Sequence, residues 1–224
     1  MNLVVVAQPT SEPVSLTQAK NFLRVTITDD DVLIGTLISA AREAVETFTG
    51  RSIATKQYRQ GFDAPPYFVD SVVSQMAYPP AYYSLPMYST AMWNYSQMIK
   101  LFAPPLISVD EIEYTDSATG NDLILDPSKY LVDSDSEPAR LFPGPAGSYW
   151  PSCLFVPNAF RVTFTAGYDT DPSSAGVPAD IQLAIMMLVA NWYENRGEIA
   201  ADIPKNIQML LWSKRVLDCQ PTRG

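Results

Sequence analysis

SLTQAKNFLRVTITDDDVLIGTLISAAREAVETFTGRSI, residues 15–53, writes out two helices and the turn between them. Ser15 followed by Gln18 is a capping-box pattern, in which each side chain satisfies a free N–H at a helix start. Leu16, Ala19, Phe22 and Leu23 then share one apolar face at helical spacing. Asp29, Asp30 and Asp31 place an N-cap and negative charge at the positive dipole end of a second helix. Leu33, Ile34, Leu37, Ile38, Ala41, Val45 and Phe48 form its stripe, and Gly50 stands where a left-handed C-cap is required.

The other end of the chain reads in the same way. Phe160, Val162 and Phe164 alternate with Arg161, Thr163 and Thr165, the pattern of a half-buried strand that Gly167 ends. Pro178 opens a third helix, where its missing N–H costs nothing; Ile181, Ala184, Ile185, Leu188, Val189 and Trp192 form its apolar face, and Gly197 stops it. Pro204 opens a fourth helix, with Ile207, Leu210, Leu211 and Val216 facing inward and Lys214 and Arg215 in the last turn, where cations suit the dipole. Between the helix pairs, Lys56–Phe62 and Ile107–Tyr114 read as strands, and Leu123–Leu125 and Tyr130–Val132 as partners of the second in a small meander.

Both ends resemble the tailed-bacteriophage head–tail connector (adaptor) protein family. The resemblance rests on "SLTQAKNFLRV", an acidic cluster and "LIGTLISAAREAVETFTGRSI", then "RVTFTAGYD" (161–169), "VPADIQLAIMMLVANWYENRG" (177–197) and "IPKNIQMLLWSKRVL" (203–217). It covers roughly half the chain; the middle, about residues 55–158, departs from it and is longer and richer in proline. The resemblance implies a virion protein at the head–tail junction. Twelve copies would form a ring below the portal protein, extending the DNA channel and docking the next tail protein (a nozzle, stopper or tail-completion protein). Genomic DNA would pass without specific binding.

The expected fold class is α+β: a four-helix core of two N-terminal and two C-terminal helices, carrying an inserted β-rich subdomain and a long Tyr/Pro-rich loop. The corresponding boundaries are 1–54, 55–170 (with the loop at 64–97) and 171–224. Between Asp63 and Lys100 the only charge is Asp70, while Tyr67, Tyr78, Tyr82, Tyr83, Tyr88, Trp93 and Tyr95 are interleaved with five prolines. Stiff aromatic side chains of this kind are enriched at interfaces, so the segment is expected to contact a neighbouring chain; packing on its own subunit is the alternative. Lys214, Arg215 and Arg223 concentrate positive charge at the end of an acidic chain, and by the family's habit this end would grip the portal.

Composition narrows the chemistry. The 224 residues suffice for one sizeable core. No apolar run approaches the roughly 20 residues that span a bilayer, so no membrane role is expected; NLVVVA near the start is too short, and lacks the basic flank, for a signal sequence. Cys153 and Cys219 are far apart in sequence, and reduced thiols are the default. With no histidine, Ser-His-Asp and Cys-His catalysis and the commonest zinc ligand are excluded. No phosphate-cradle motif occurs, and the run Asp133-Ser134-Asp135-Ser136-Glu137 meets Pro138 where a calcium loop has glycine. No catalytic residue, cofactor or metal is therefore expected. The net charge of −9 is concentrated: nine acidic residues lie between Val109 and Glu137 against the single base Lys129, which disfavours tight DNA binding. Arg42 and Arg51 are candidates for pairing across subunits or for an ordinary surface role. Three other readings stay open at this point: another tail-completion or minor capsid protein, a tail-associated carboxylate-dependent hydrolase, and a DNA-packaging accessory.

Overall fold

A computed structural model describes residues 2–66, 97–144, 149–168, 176–195 and 203–216. Among them are four α-helices, α1 (Leu16–Leu23), α2 (Asp31–Thr49), α3 (Ala179–Glu194) and α4 (Lys205–Leu211). Eight strands accompany them: β1 (Asn2–Ala7), β2 (Lys56–Phe62), β3 (Ile99–Leu101), β4 (Leu106–Thr115), β5 (Asp122–Ile124), β6 (Tyr130–Asp133), β7 (Ala139–Pro143) and β8 (Phe160–Ala166).

The helix signals act as their chemistry requires. Ser15 Oγ accepts from the Gln18 N–H at 3.2 Å while the Ser15 N–H donates to Gln18 Oε1 at 2.8 Å, closing the capping box. Gly50 adopts φ +71° and donates its N–H to Glu46 O, ending α2 in the left-handed conformation. The Asp29–Asp31 cluster behaves differently from its expected capping role. Asp30 occupies the N-cap but makes no side-chain cap bond; its carboxylate accepts from the Tyr193 hydroxyl of α3, and Asp31 pairs with Lys20 of α1. Tertiary partners have taken the place of the local cap. On α1 only Ala19 is buried, and Leu16 and Phe22 stay exposed.

All strand pairs are antiparallel, in a five-stranded sheet of order β1-β2-β8-β4-β5 and a three-stranded sheet of order β3-β7-β6. β8 is the centre of the larger sheet, and its alternating residues bury Phe160, Val162 and Phe164 on one face. Tyr58 stacks on Phe164 and Trp150 meets Phe160 edge-on, with ring centroids 5.7 and 5.4 Å apart. Burial pushes the Tyr58 hydroxyl up to about 12, where it shares a hydrogen bond with Ser52.

This arrangement corrects the expected fold class. The β part is not an insertion hung from a helical core. Its largest sheet begins before the helices, since β1 pairs with β2 across the whole α1–α2 segment. The apolar residues also divide into two cores: one holds Ile34, Ile38, Val45, Ile181, Ile185 and Leu188, the other Ile99, Ile112, Leu141, Phe160, Val162 and Phe164. The β residues therefore have a full core of their own. The expected meander is corrected as well: β5 does pair with β4, but Tyr130–Asp133 pairs with β7 in the second sheet.

Candidate docking surface

Most carboxylates of the acidic stretch are engaged in turns and ion pairs. Asp116 accepts from the Thr119 hydroxyl and N–H, Asp126 from the Ser128 N–H, and Asp133 from Ser136 and Arg140. Asp122 accepts from Thr115 and pairs with Arg161, which also pairs with Glu113. These hydrogen bonds hold Asp116, Asp122, Asp126 and Asp133 below the ordinary carboxylate value, so they stay charged well into acid. The calcium-like run at Asp133 is thus a turn closed on Ser136. Among the described residues no group of three or more carboxylate or thiol side chains is placed to hold a metal ion.

Two arginines organise the junction between the layers, and both find their partners within the subunit. Arg42, on α2, is only 3% exposed. It donates to Glu12 at 2.8 Å and to Glu46 at 3.0 Å. Glu46 in turn accepts from Lys56 of β2 and from the backbone N–H groups of Ile53 and Ala54. One carboxylate therefore ties the end of α2 to the start of the sheet. Burial opposes the Arg42 charge, and the hydrogen bond from Glu12 with the fields of Glu46, Glu12 and Glu43 outweighs it, raising the guanidinium above its usual value. Arg51 forms the second junction, donating to Glu137, to the Lys214 carbonyl at 2.6 Å and to the Tyr168 hydroxyl at 3.4 Å.

These contacts settle where two of the expected partner-binding residues lie. Lys214 closes a 3₁₀ turn after α4; its carbonyl is held by Arg51 and its ammonium lies 3.3 Å from Asp180. The Arg215 guanidinium lies over the rings of Phe48 and Trp212, 5.4 and 5.6 Å from their centroids. The Val216 N–H donates to Thr49 O, fastening this end of the chain to the end of α2. Arg223 and the aromatic residues Tyr67, Tyr78, Tyr82, Tyr83, Tyr88, Trp93 and Tyr95 lie outside the described residues.

Beside Arg215 the surface is concave and apolar. A groove of about 520 Å³ runs between α2 and α4, lined by Ala44, Phe48, Ile203 and Arg215, and one of about 430 Å³ is lined by Lys205, Met209 and Trp212. Gln208 lines both. Met209 is 79% and Trp212 61% exposed, while Ile207 and Leu211, on the opposite face of α4, are buried. Sequence reasoning found the inward face of this helix and passed over the outward one. The available signal was a methionine and a tryptophan three residues apart, opposite the aliphatic stripe. Met209 and Trp212 thus leave apolar surface exposed beside Lys214 and Arg215.

Residues 13–78 match the model of the phage gp6-like head-tail connector protein family, which bears out the resemblance read from the sequence. No curated protein matches the chain. Among solved structures, a chain in the neck of an empty gene transfer agent particle, computed with C6 symmetry, has 19% identity and a TM-score of 0.69, with both chains covered at 100%. A chain in the virion of the native gene transfer agent particle has 19% identity and a TM-score of 0.68, over 100% of this chain and 99% of that one. A chain in the native particle's neck, computed with C12 symmetry, has 18% identity and a TM-score of 0.67 with full coverage of both. The described residues therefore share the fold of these chains, the β strands between the helix pairs included.

Proposed function

We propose that the chain is a structural head–tail connector subunit of a tailed-phage-like particle, assembling as a twelve-copy ring below the portal protein. It acts by binding geometry rather than by catalysis, extending the DNA channel on one side and offering a seat for the next tail protein on the other. The observation that carries this reading is the agreement of fold along the whole chain with gene transfer agent neck chains, joined to the connector signature over residues 13–78. The six- and twelve-fold symmetries of those necks support the ring.

Charge supports the channel role. Twelve copies carry about −100 of formal charge in total, which must be spread over the ring or screened within a Debye length of about 10 Å. Whatever part of it faces the bore repels phosphate, so DNA slides without adhering. The grooved surface around Met209, Trp212, Lys214 and Arg215 is the portal-facing contact in this reading, and the Tyr/Pro-rich stretch at 64–97 meets the adjacent subunit or the next tail protein.

The test is the mass and symmetry of the purified complex with and without portal protein. A closed ring of about twelve copies that forms on the portal supports the reading. A chain that stays monomeric in the presence of portal overturns it.

A further inference from the structure

Among the described residues, the five-stranded sheet ends on both sides in strands that pair with no further strand, β1 and β5. β1 reads Asn-Leu-Val-Val-Val-Ala, and every residue from Val4 to Ala7 is exposed, with Val4 at 48%. Successive strand residues point to opposite faces, so Val4, Val5 and Val6 leave apolar surface on both faces of the strand as well as along its outer edge. A continuous valine run is the composition of a strand covered on both faces. Edge strands that must remain edges carry lysine, proline or an inward charge; β1 carries none of these, and its only irregularity is a register shift between Val5 and Ala7. At the far side of the sheet all three residues of β5 are exposed, with Ile124 at 68%.

Charge is ordered along the same direction. Reading one row across the sheet, Val4 of β1 is paired with Arg59 of β2, Arg59 with Thr163 of β8, and Thr163 with Glu111 of β4. The exposed guanidinium of Arg59 thus stands beside the β1 edge. Glu111 stands toward the β5 side, with Asp126 just beyond that strand. Both edges thus offer strand hydrogen-bonding groups and apolar surface, with a cation one strand in from β1 and a carboxylate one strand in from β5.

We infer that adjacent copies join edge to edge, with β1 of one copy laid along the β5 side of the next, so that the sheets run on from subunit to subunit. The contact uses two different surfaces of one chain, which makes it heterologous, the type that closes into rings. It is strand addition between copies, with main-chain bonds supplying affinity and the unlike charges of Arg59 and Glu111, each one strand in from its edge, favouring β1-to-β5 over β1-to-β1 contact. The inference rests on the ring reading above and specifies the surface by which the ring closes.

The experiment uses full-length chain carrying Cys219→Ser, with Val4→Cys alone, Ile124→Cys alone, or both, assembled with portal and treated with a short bismaleimide. Within one copy the two positions sit four interstrand spacings apart, roughly 19 Å, so a short linker reports only contacts between copies. The double variant should give a covalent ladder of chain multimers, and neither single variant should. Independently, Arg59→Glu should weaken assembly about twofold to threefold at low salt, an effect that high salt removes and that adding Glu111→Lys to the same chain reverses. Rings that form normally, show no ladder and tolerate Arg59→Glu overturn the edge contact while leaving the ring intact. Cross-linking of the Val4→Cys chain to portal or tail protein overturns it also, by assigning the edge to that partner. Failure of the unmodified chain to form any closed oligomer removes both readings together.

Discussion

Arg51 and Glu137, 86 positions apart in sequence, face each other through two parallel hydrogen bonds, one from each terminal nitrogen of the guanidinium. The same guanidinium holds the Lys214 carbonyl through Nε. One side chain at the exit of α2 therefore fixes the loop before β7 and the turn after α4. A planar five-donor fork can do this, and a lysine cannot.

Arg51→Lys should accordingly lower stability by about 1–2 kcal/mol, chiefly through the loss of directed hydrogen bonds. The Arg51 hydrogen bond draws the Glu137 carboxyl below its ordinary value. A lowered folded value stabilises above the unfolded value and is lost as pH falls through the folded one. The advantage of wild type over Glu137→Gln in urea midpoint should thus be present at neutral pH and close below about pH 4. Because Glu137 is partly exposed, that advantage should be small and diminish in high salt. A difference that persisted at low pH would assign it to packing.

Arg42 is the costlier position. Removing it leaves Glu12 and Glu46 without their shared cation, with only Lys56 beside a Glu46 that is largely shielded from water. Breaking a buried pair from one side costs about 3–5 kcal/mol. Arg42→Ala should therefore unfold at markedly lower urea. The double variant Arg42→Ala, Glu12→Gln should recover part of the loss, because Lys56 then compensates the one carboxylate left in the cluster, Glu46. Equal stability of the single and double variants would show that the cluster does not act as a unit.

Gly167 and Gly120 separate strain from space. Gly167 has φ +131°, and a Cβ there would lie 2.5 Å from the Ala54 carbonyl oxygen. Gly120 has φ +70° and nothing within 4 Å of an added Cβ. Gly120→Ala should cost about 1 kcal/mol of backbone strain, whereas Gly167→Ala should cost about 3 kcal/mol or more, since backbone must move as well. Thermal unfolding of the two variants side by side measures the difference, and similar losses would show that the Ala54 segment yields easily.

Local elements were legible where a short-range signal sets them: the Ser15–Gln18 box, the Gly50 stop, and the period-two burial of β8. What escaped the sequence depended on partners far along the chain. NLVVVA carries no mark of the strand it joins some fifty residues later, so it read as too short for a leader and nothing more. Tyr130–Val132 alternates equally well for either sheet, and only the position of β7 decides between them. Arg42 read as a candidate for pairing across subunits or for the surface because its partner Glu12 is 30 positions away. Of the docking surface, Lys214 and Arg215 were legible from charge. Met209 and Trp212 were not, because an apolar residue is expected to face inward until the fold says otherwise.

The α4 surface gives the last prediction. Met209 and Trp212 are largely exposed, so replacing both by serine removes little buried area and should change stability by less than about 1 kcal/mol. Portal binding should fall at least tenfold, since a tryptophan beside an arginine is the usual composition of an interface anchor. Reversing Lys214 and Arg215 to glutamate should have the same effect by another route. Arg51 binds the Lys214 backbone, which the substitution preserves, and the surface contact to Asp180 contributes at most about 1 kcal/mol, so the stability this pair loses comes chiefly from the stacking of Arg215 on Phe48 and Trp212. Leu211→Ser, on the buried face of the same helix, is the control: it should lose stability by several kcal/mol. Pull-down of purified chain on portal protein, with urea midpoints measured in parallel, separates the two effects. Portal binding unchanged by both the serine and the glutamate pairs would exclude this groove as the portal contact.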